Sequence, residues 1–240
     1  DLDPNRSKPK YTLQILTTLE GLGLEWDGPL VYQSRNRTLY QESLDALASS
    51  GLTYACACSR KALSDQLPHG DEKGIYPGTC RMLGLRFKPG QQALRIKVQD
   101  RMILLVDAVQ GPFSQNLANE VGDFILYRRD QVFAYHLATV VDDAMLGVTQ
   151  IVRGYDLLDS TPRQLFLQEA LKLKTPRYAH LPLLVTEAGT KISKSLGAAA
   201  VSLDHPSQTI WTALKLLNQD PPQSLLSEPI QSILHWAIEH

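Results

Sequence analysis

The chain has 240 residues, of which 43% are hydrophobic and 20% are charged, and its formal net charge at pH 7 is -1. This length and apolar content suit one large domain, or one domain that carries a smaller inserted one. A charge close to zero gives the whole chain no attraction for polyanions, so a nucleic acid would have to bind a local basic patch. No apolar run reaches the ~18 residues of a membrane-spanning helix, and the polar first residues do not resemble a signal peptide. We therefore expect a cytoplasmic protein without a membrane partner.

Two apolar spacings alternate along the chain. Apolar residues three or four positions apart predict helices at 9–22, 36–50, 160–174 and 208–218, followed by a last amphipathic segment. Short apolar runs predict strands at 26–34, 52–57, 93–98, 103–109, 147–156 and 178–189. Because helices alternate with apolar strands, the expected class is α/β with a parallel sheet.

The segment 56–130 interrupts this alternation. Its first part is rich in glycine, proline and charged residues, and the segment holds 11 Lys and Arg against 8 Asp and Glu, a net charge of +3. The rest of the chain holds 13 and 17 of these residues, a net charge of −4. We therefore predict an inserted subdomain over 56–130. It divides the main domain into 1–55 and 131–200 and leaves 201–240 as a short C-terminal helical segment.

All three cysteines lie in the inserted segment. In a cytosolic protein, clustered cysteines are more often metal ligands than disulfides, and zinc binds four tetrahedral ligands. We therefore expect a zinc ion held by the three cysteines, Cys56, Cys58 and Cys80. The fourth ligand is open at this point, and the candidates, with histidine favoured as the commonest type, are His69, Asp71 and Tyr76. The alternative is three unrelated cysteines buried in a core.

Arg153 ends an apolar strand. In open α/β sheets, ligands collect at the carboxyl ends of the strands, so its guanidinium group could bind a carboxylate there. The alternative is a surface arginine. Tyr135 has the character of a core aromatic, and Asp142 with Asp143 is expected in a solvated turn, although such a pair could bind a metal or ligand. Basic residues that could contact phosphates, but whose default interpretation is a solvated surface, are Arg60, Lys61, Arg81, Arg86, Arg95, Lys97, Arg128 and Arg129.

The segment 186–197 places two lysines, Lys191 and Lys194, between Gly189 and Gly197. One interpretation is a hydrated surface loop. The other is electrostatic catalysis, because ammonium groups at a nucleotide's α-phosphate stabilise the negative charge that develops when it is attacked. The loop alone does not decide between them.

The order of these segments resembles the catalytic region of glutamyl-tRNA synthetases, a family of class I aminoacyl-tRNA synthetases. The segment 191–195, KISKS, is similar to the family's second signature, KMSKS. The resemblance covers essentially the whole chain and rests on nine strings in register: DLDPNRS, LGLEWDG, YQSRNRTLY, YACACSR, YPGTC, FAYHLATVVDD, IVRGYDLLDSTPRQ, YAHLPL and KISKS.

Three departures point to a shortened branch of that family, whose members glutamylate queuosine in tRNA(Asp). Full synthetases read RGEDH where this chain has RGYDLL at 153–158. They also continue into a large helical anticodon-binding domain, whereas 45 residues follow Ser195 here. Finally, the spacing C-x-C…Y-x-x-x-C is the pattern of the branch.

The resemblance implies a fold and a set of site residues. The fold is a class I synthetase Rossmann-like parallel sheet of the α/β class, with an inserted zinc-bearing α+β subdomain. Tyr76 becomes the implied fourth ligand of a structural zinc ion. Tyr135 and Arg153 line the glutamate site, and Lys194 with Lys191 serves ATP.

The implied reaction has two steps. Glutamate and ATP, the latter with Mg²⁺, form glutamyl-adenylate and pyrophosphate, and glutamate is then transferred to queuosine in the anticodon of tRNA(Asp). DNA is not an implied partner. Two alternatives are a tRNA-charging glutamyl-tRNA synthetase truncated at both ends and a zinc-bearing RNA-binding module without catalysis.

The first residues, DLDPNR, match only the tail of an early element of the family. The HIGH-like ATP signature and the acidic residue for the substrate amino group precede that tail in family members. We therefore expect that residues 1–240 alone do not activate glutamate, which an ATP–pyrophosphate exchange assay would test.

Overall fold

The computed structural model of the protein describes residues 1–64, 74–186, 192 and 201–240. His69, Asp71, Lys191 and Lys194 lie outside the described residues. The chain divides into two compact units, one comprising residues 1, 3–31 and 185–240 and the other comprising residue 2 and 32–184. None of the helices in these described ranges is long and apolar enough to span a membrane.

The elements follow one another in this order. The described helices are α1 (Pro9–Gly21), α2 (Arg37–Ser49), α3 (Arg60–Ser64), α4 (Leu117–Glu120), α5 (Tyr135–Met145), α6 (Thr161–Ala170), α7 (Pro206–Leu216) and α8 (Ile230–Glu239). The described strands are β1 (Thr53–Cys56), β2 (Ala93–Ile96), β3 (Met102–Asp107), β4 (Gly111–Asn116), β5 (Ile125–Tyr127), β6 (Gln150–Gly154) and β7 (Arg177–Leu181). Short 3-10 helices lie at Gln33–Arg35, Tyr155–Ser160 and Gln223–Ser227.

The strands of the larger unit pair in three groups. β1, β2 and β5 form an antiparallel sheet, β3 and β4 form an antiparallel hairpin, and β6 pairs with β7 in parallel. The predicted α/β class is confirmed as a fold with mixed sheets, but among the described strands the parallel pairing is limited to β6 and β7. The connections explain this, because a short turn such as 108–110 permits only antiparallel pairing, whereas β6 and β7 are joined through α6.

The core of the larger unit lies where α2, α5 and α6 pack together. Tyr40, Leu47, Leu137 and Leu167 are fully buried in one hydrophobic cluster. The ring of Tyr40 packs edge-on against Phe133, with 5.4 Å between centroids. The sequence predicted the helices α2 and α6 that contribute to this core, but it did not predict α5, which contributes Leu137.

The smaller unit has a separate core. Helices α7 and α8 form a cluster with the residue that follows α1, and its four buried members are Leu22, Ile210, Leu214 and Ile233. Ile210 and Leu214 are four positions apart, so they lie on one face of α7. The helix predicted at 208–218 is confirmed, and it begins slightly earlier, at Pro206.

Two predictions about local structure are wrong. No strand forms at 26–34, where Gly28 has φ +74° and Pro29 has no N–H to pair. Asp142 and Asp143 lie in α5 rather than in a turn, and Asp142 is buried. The Asp142 carboxylate accepts hydrogen bonds from the three side chains Gln33 (2.8 Å), Asn36 (3.0 Å) and Tyr40 (2.8 Å), which accounts for its burial.

Candidate functional site

The parallel pair β6–β7 places Arg153 opposite His180. The two residues are direct partners in the strand register, one position before each strand ends. Their side chains meet at the carboxyl end of the pair, with Arg153 Nε 3.0 Å from His180 Nε2. This is the edge of a parallel sheet at which ligands bind.

Arg153 is held by several hydrogen bonds in addition to the contact with His180. Its Nη2 donates to the hydroxyl oxygen of Thr161 and to Oε1 of Gln164, both at 2.8 Å, and lies 3.3 Å from the carbonyl oxygen of Leu157. Thr161 and Gln164 belong to α6 and are buried. Within the described part of the chain, no hydrogen bond engages Nη1. The guanidinium group is therefore fixed through Nε and Nη2, while Nη1 has no hydrogen-bond partner among these residues.

His180 is bound to a buried carboxylate on its other side. Its Nδ1 lies 2.6 Å from Oδ2 of Asp107, and its backbone N–H donates to Oδ1 of the same residue at 3.0 Å. Burial acts to raise the pKa of Asp107, but backbone donors from Gln110, His180 and Val109 and the His180 side chain outweigh it and hold the pKa at about 2. Asp107 is thus a firmly ionised anchor for the imidazole.

Tyr135 begins α5 and its side chain is 49% exposed, so it is not the core aromatic that its sequence context suggested. It lies within electrostatic range of Tyr178, as do Arg153 and Asp143. The Arg153 guanidinium carbon is 5.4 Å from the centroid of the Tyr178 ring. Burial raises the pKa of both Tyr178 and Asp143, and Arg153 opposes the two shifts. Tyr135 and Arg153 therefore border one cluster of ionisable groups.

The three cysteines come together, as the sequence predicts. Their Sγ atoms lie within 4.8 Å of one another, and Cys58 Sγ is 3.5 Å from Cys80 Sγ. The phenol oxygen of Tyr76 is 3.4 Å from Cys56 Sγ and 3.8 Å from Cys58 Sγ. A zinc tetrahedron with Zn–S bonds of about 2.3 Å has edges of about 3.8 Å. Three thiols and a phenol at these separations therefore fit a closed four-ligand metal site.

A buried cation lies against this cluster. Arg95, in β2, is only 7% exposed, so its predicted place on a solvated surface is wrong. Its Nε donates to Cys56 Sγ at 3.3 Å, its Nη1 donates to the carbonyl oxygen of Asp123 at 2.6 Å, and its guanidinium carbon is 3.7 Å from the centroid of the Tyr76 ring. Burial acts to raise the pKa of the Cys56 thiol, but hydrogen bonds from Tyr76 and Arg95 lower it overall. This environment favours the thiolate that a metal requires.

Sequence reasoning missed three residues of these two sites. Asp107 is the last residue of β3 and His180 lies one position before the end of β7. Both strands are ordinary apolar runs in the sequence, and only the contact between residues 73 positions apart reveals the pair. The burial of Arg95 had a signal in the sequence, because this residue lies inside the apolar run ALRIKV. When both faces of such a strand are covered, as in β2, an arginine within it is buried too.

The chain matches a known protein family over most of its length. Residues 1–218 match the family of class I tRNA synthetases (E and Q), catalytic domain. The chain belongs to this family of aminoacyl-tRNA synthetases, and it is an enzyme of the ligase type.

Two similar relatives indicate which branch of this synthetase family the chain resembles. The glutamyl-Q tRNA(Asp) synthetase of Pseudomonas fluorescens is 45% identical over 240 residues, which are 100% of this chain and 78% of that protein. The glutamyl-Q tRNA(Asp) synthetase of Neisseria meningitidis serogroup C is 46% identical over 242 aligned residues, 100% of this chain and 81% of that protein. The resemblance to the shortened branch is confirmed.

A solved structure supports the fold. The glutamate tRNA ligase of Elizabethkingia meningosepticum, in complex with its amino acid, has a TM-score of 0.69 and 27% sequence identity to this chain. The match covers 82% of this chain and 44% of that ligase, so the chain corresponds to less than half of the ligase.

Proposed function

We propose that the protein activates glutamate with ATP and transfers it to queuosine in the anticodon of tRNA(Asp). The observation that carries this proposal is the 45–46% identity, over the whole chain, to relatives named glutamyl-Q tRNA(Asp) synthetase. The Nη1 group of Arg153, which no described residue engages, supports an amino-acid site at the carboxyl end of the β6–β7 pair.

In the proposed amino-acid site, Arg153 binds a carboxylate of glutamate through Nη1. Because Nε and Nη2 are held by His180, Thr161 and Gln164, little freedom is lost on binding. Tyr135, which is half exposed at the start of α5, contributes its ring and hydroxyl from the neighbouring helix. This arrangement selects an anionic, small substrate.

The proposed chemical step depends on charge. Attack of the glutamate carboxylate on the α-phosphorus of ATP forms the mixed anhydride and releases pyrophosphate with its bond electrons. Lys194, assisted by Lys191 and by the Mg²⁺ that accompanies ATP, stabilises the negative charge that develops on the phosphoryl oxygens. Both lysines lie outside the described residues, so their role remains a prediction.

The cysteine cluster is proposed to hold a structural zinc ion. Cys56, Cys58 and Cys80 would bind it through sulfur and Tyr76 through its phenol oxygen. With four protein ligands no position is open for water, so the ion would stabilise the inserted segment 56–130 rather than take part in catalysis.

The test is the chemical location of the attached glutamate. The full natural protein is incubated with radiolabelled glutamate, ATP and tRNA(Asp) that contains queuosine, using matched tRNA without queuosine as the control. Exchange of the tRNA's terminal adenosine for 2′,3′-dideoxyadenosine should leave glutamate incorporation intact, because the proposed acceptor is in the anticodon. Incorporation that is lost with this tRNA and independent of queuosine would indicate a tRNA-charging synthetase, and RNA binding without incorporation would indicate a non-catalytic module.

A further inference from the structure

We infer that Asp107 and His180 are positioning residues that aim the Arg153 guanidinium at the amino-acid substrate. This inference rests on the proposed function, in which Arg153 binds a carboxylate of glutamate. It extends the site to two buried residues on β3 and β7.

Arg153 has more hydrogen-bond donors than its described protein partners use. A guanidinium group has five N–H bonds. Three of them are used: Nε–H donates to His180, and the two hydrogens of Nη2 reach Thr161 and Gln164. No residue in the described part of the chain accepts from the two hydrogens of Nη1, so these hydrogens are available to a ligand. The orientation of this remaining pair depends on the acceptors that hold the other three.

The contact with Arg153 requires one tautomer of His180. Nε2 can accept from Arg153 only if it carries no hydrogen, so the hydrogen of the neutral ring must be on Nδ1. Asp107 selects this tautomer, because Oδ2 is an acceptor 2.6 Å from Nδ1. The opposite tautomer would point an N–H at the N–H of Arg153, and the Thr161 hydroxyl oxygen, 3.2 Å from Nε2, would be its acceptor instead.

Backbone donors hold the carboxylate of Asp107 in place. Its Oδ1 accepts from the backbone N–H groups of Val109, Gln110 and His180 at 2.9 to 3.0 Å. The side chain of Gln110 in turn donates to the carbonyl oxygen of His180 at 2.6 Å. Hydrogen bonds therefore hold the turn between β3 and β4 against β7. The imidazole ring of His180 connects this turn to Arg153.

The decisive variant is Asp107→Asn, which preserves shape and inverts one hydrogen bond. The amide oxygen can keep the three backbone donors, while the amide nitrogen donates to Nδ1 and forces the hydrogen onto Nε2. We expect the KM for glutamate in ATP–pyrophosphate exchange to rise at least tenfold in the full natural protein, with the KM for ATP changed less than twofold. Asp123→Asn, a matched change at another buried carboxylate, should leave the KM for glutamate within twofold.

Two further measurements separate positioning from folding. The ¹⁵N NMR shifts of His180 should report hydrogen on Nδ1 in the wild type and on Nε2 in Asp107→Asn. His180→Gln, whose amide oxygen can replace Nε2 as the acceptor, should stay within about threefold of the wild-type KM for glutamate, whereas the shorter His180→Asn should raise it at least tenfold.

The outcomes distinguish this inference from the proposed function. If the wild type activates no glutamate, the proposed function fails, and the NMR tautomers still decide whether Asp107 controls His180. If the wild type activates glutamate and Asp107→Asn leaves its KM within twofold, the positioning role is overturned. The same holds if His180 carries its hydrogen on Nε2 in the wild type.

Discussion

His136 is a half-buried histidine close to two arginines, Arg153 and Arg163, and this environment resists protonation of its imidazole. Its ring packs edge-on against Phe124 and Tyr135, and its Nδ1 is buried without a hydrogen-bond partner among the described residues. Burial, followed by repulsion from Arg163 and Arg153, lowers the pKa of His136 to about 4. The ring is therefore neutral in the folded protein at neutral pH.

This shift predicts a loss of stability in weak acid. An unfolded histidine has a pKa of about 6.5, so between pH 6.5 and 4 the unfolded state binds a proton that the folded state does not. The free energy of unfolding should fall as the pH drops through this window, with a slope from His136 of up to about 1.4 kcal/mol per pH unit. Urea denaturation at several pH values measures the slope.

The control is a histidine in a different environment. His136→Gln should flatten the dependence between pH 6.5 and 4, whereas His205→Gln, at an exposed histidine, should not. An unchanged slope in His136→Gln would mean that His136 binds protons equally in the folded and unfolded states, so that its pKa is not lowered by folding. Neither the identity of residue 136 nor its position in the sequence indicates this shift, because it arises from neighbours that only the fold brings close.

Gly122 allows the backbone of Tyr76 to pack closely against it and so positions the phenol in the cysteine cluster. Gly122 has φ +74°, and a Cβ there would lie 2.5 Å from the carbonyl oxygen of Tyr76 and 2.8 Å from its nitrogen. Tyr76 N–H also donates to the carbonyl oxygen of Val121 at 3.4 Å. The backbone that carries the phenol is therefore seated directly on this glycine.

Gly122→Ala should destabilise the protein and weaken zinc binding together. The left-handed conformation costs an alanine about 1–2 kcal/mol, and the steric conflict with Tyr76 adds about 1–3 kcal/mol. Gly111→Ala is the matched control, because Gly111 has φ +76° but no atom within 4 Å of its Cβ position. It should show the conformational cost alone and normal zinc affinity. Equal losses of unfolding free energy in the two variants would exclude the steric explanation.

Arg95 allows a second test of the cluster. With the proposed zinc ion bound, three thiolates and one Zn²⁺ would carry a net charge of −1, which the buried guanidinium group beside Cys56 and Tyr76 would compensate. Arg95→Met should lower zinc affinity about 10- to 100-fold, the usual effect of removing an outer-shell partner. Competition with a chromogenic chelator measures this without any enzyme assay. Arg86→Met, at an exposed arginine of the same segment, should bind zinc like the wild type.

Local patterns predicted the elements better than their pairing. The spacing of apolar residues found α2 and its end before Gly51, and the apolar run YAHLPL found β7. The same patterns could not tell that β2 pairs antiparallel with β1 and β5, because strand direction depends on the length of the connections. Arg95 was misplaced for a related reason, since its burial comes from side chains distant in sequence.

Across the whole chain, the two candidate sites differ in how far sequence could predict them. The cysteine cluster draws on residues 56–80, and its spacing is a local motif. The Arg153 cluster draws on residues from 107 to 180, brought together by β3, β6, α6 and β7. A single sequence contains the residues of such a site but not their contacts.

The two hydrophobic cores suggest that stability is not uniform over the molecule. Ile233 is fully buried in the cluster of α7 and α8, whereas Leu137 is fully buried in the cluster of α2, α5 and α6. Ile233→Ala should cost about 2–5 kcal/mol, and because its contacts belong to the smaller unit, the loss should be local. Hydrogen exchange followed by mass spectrometry should show faster exchange in peptides from α7 and α8 and unchanged exchange in β6 and β7. Leu137→Ala should give the reverse pattern. Faster exchange throughout the chain in both variants would mean that the two units unfold as one.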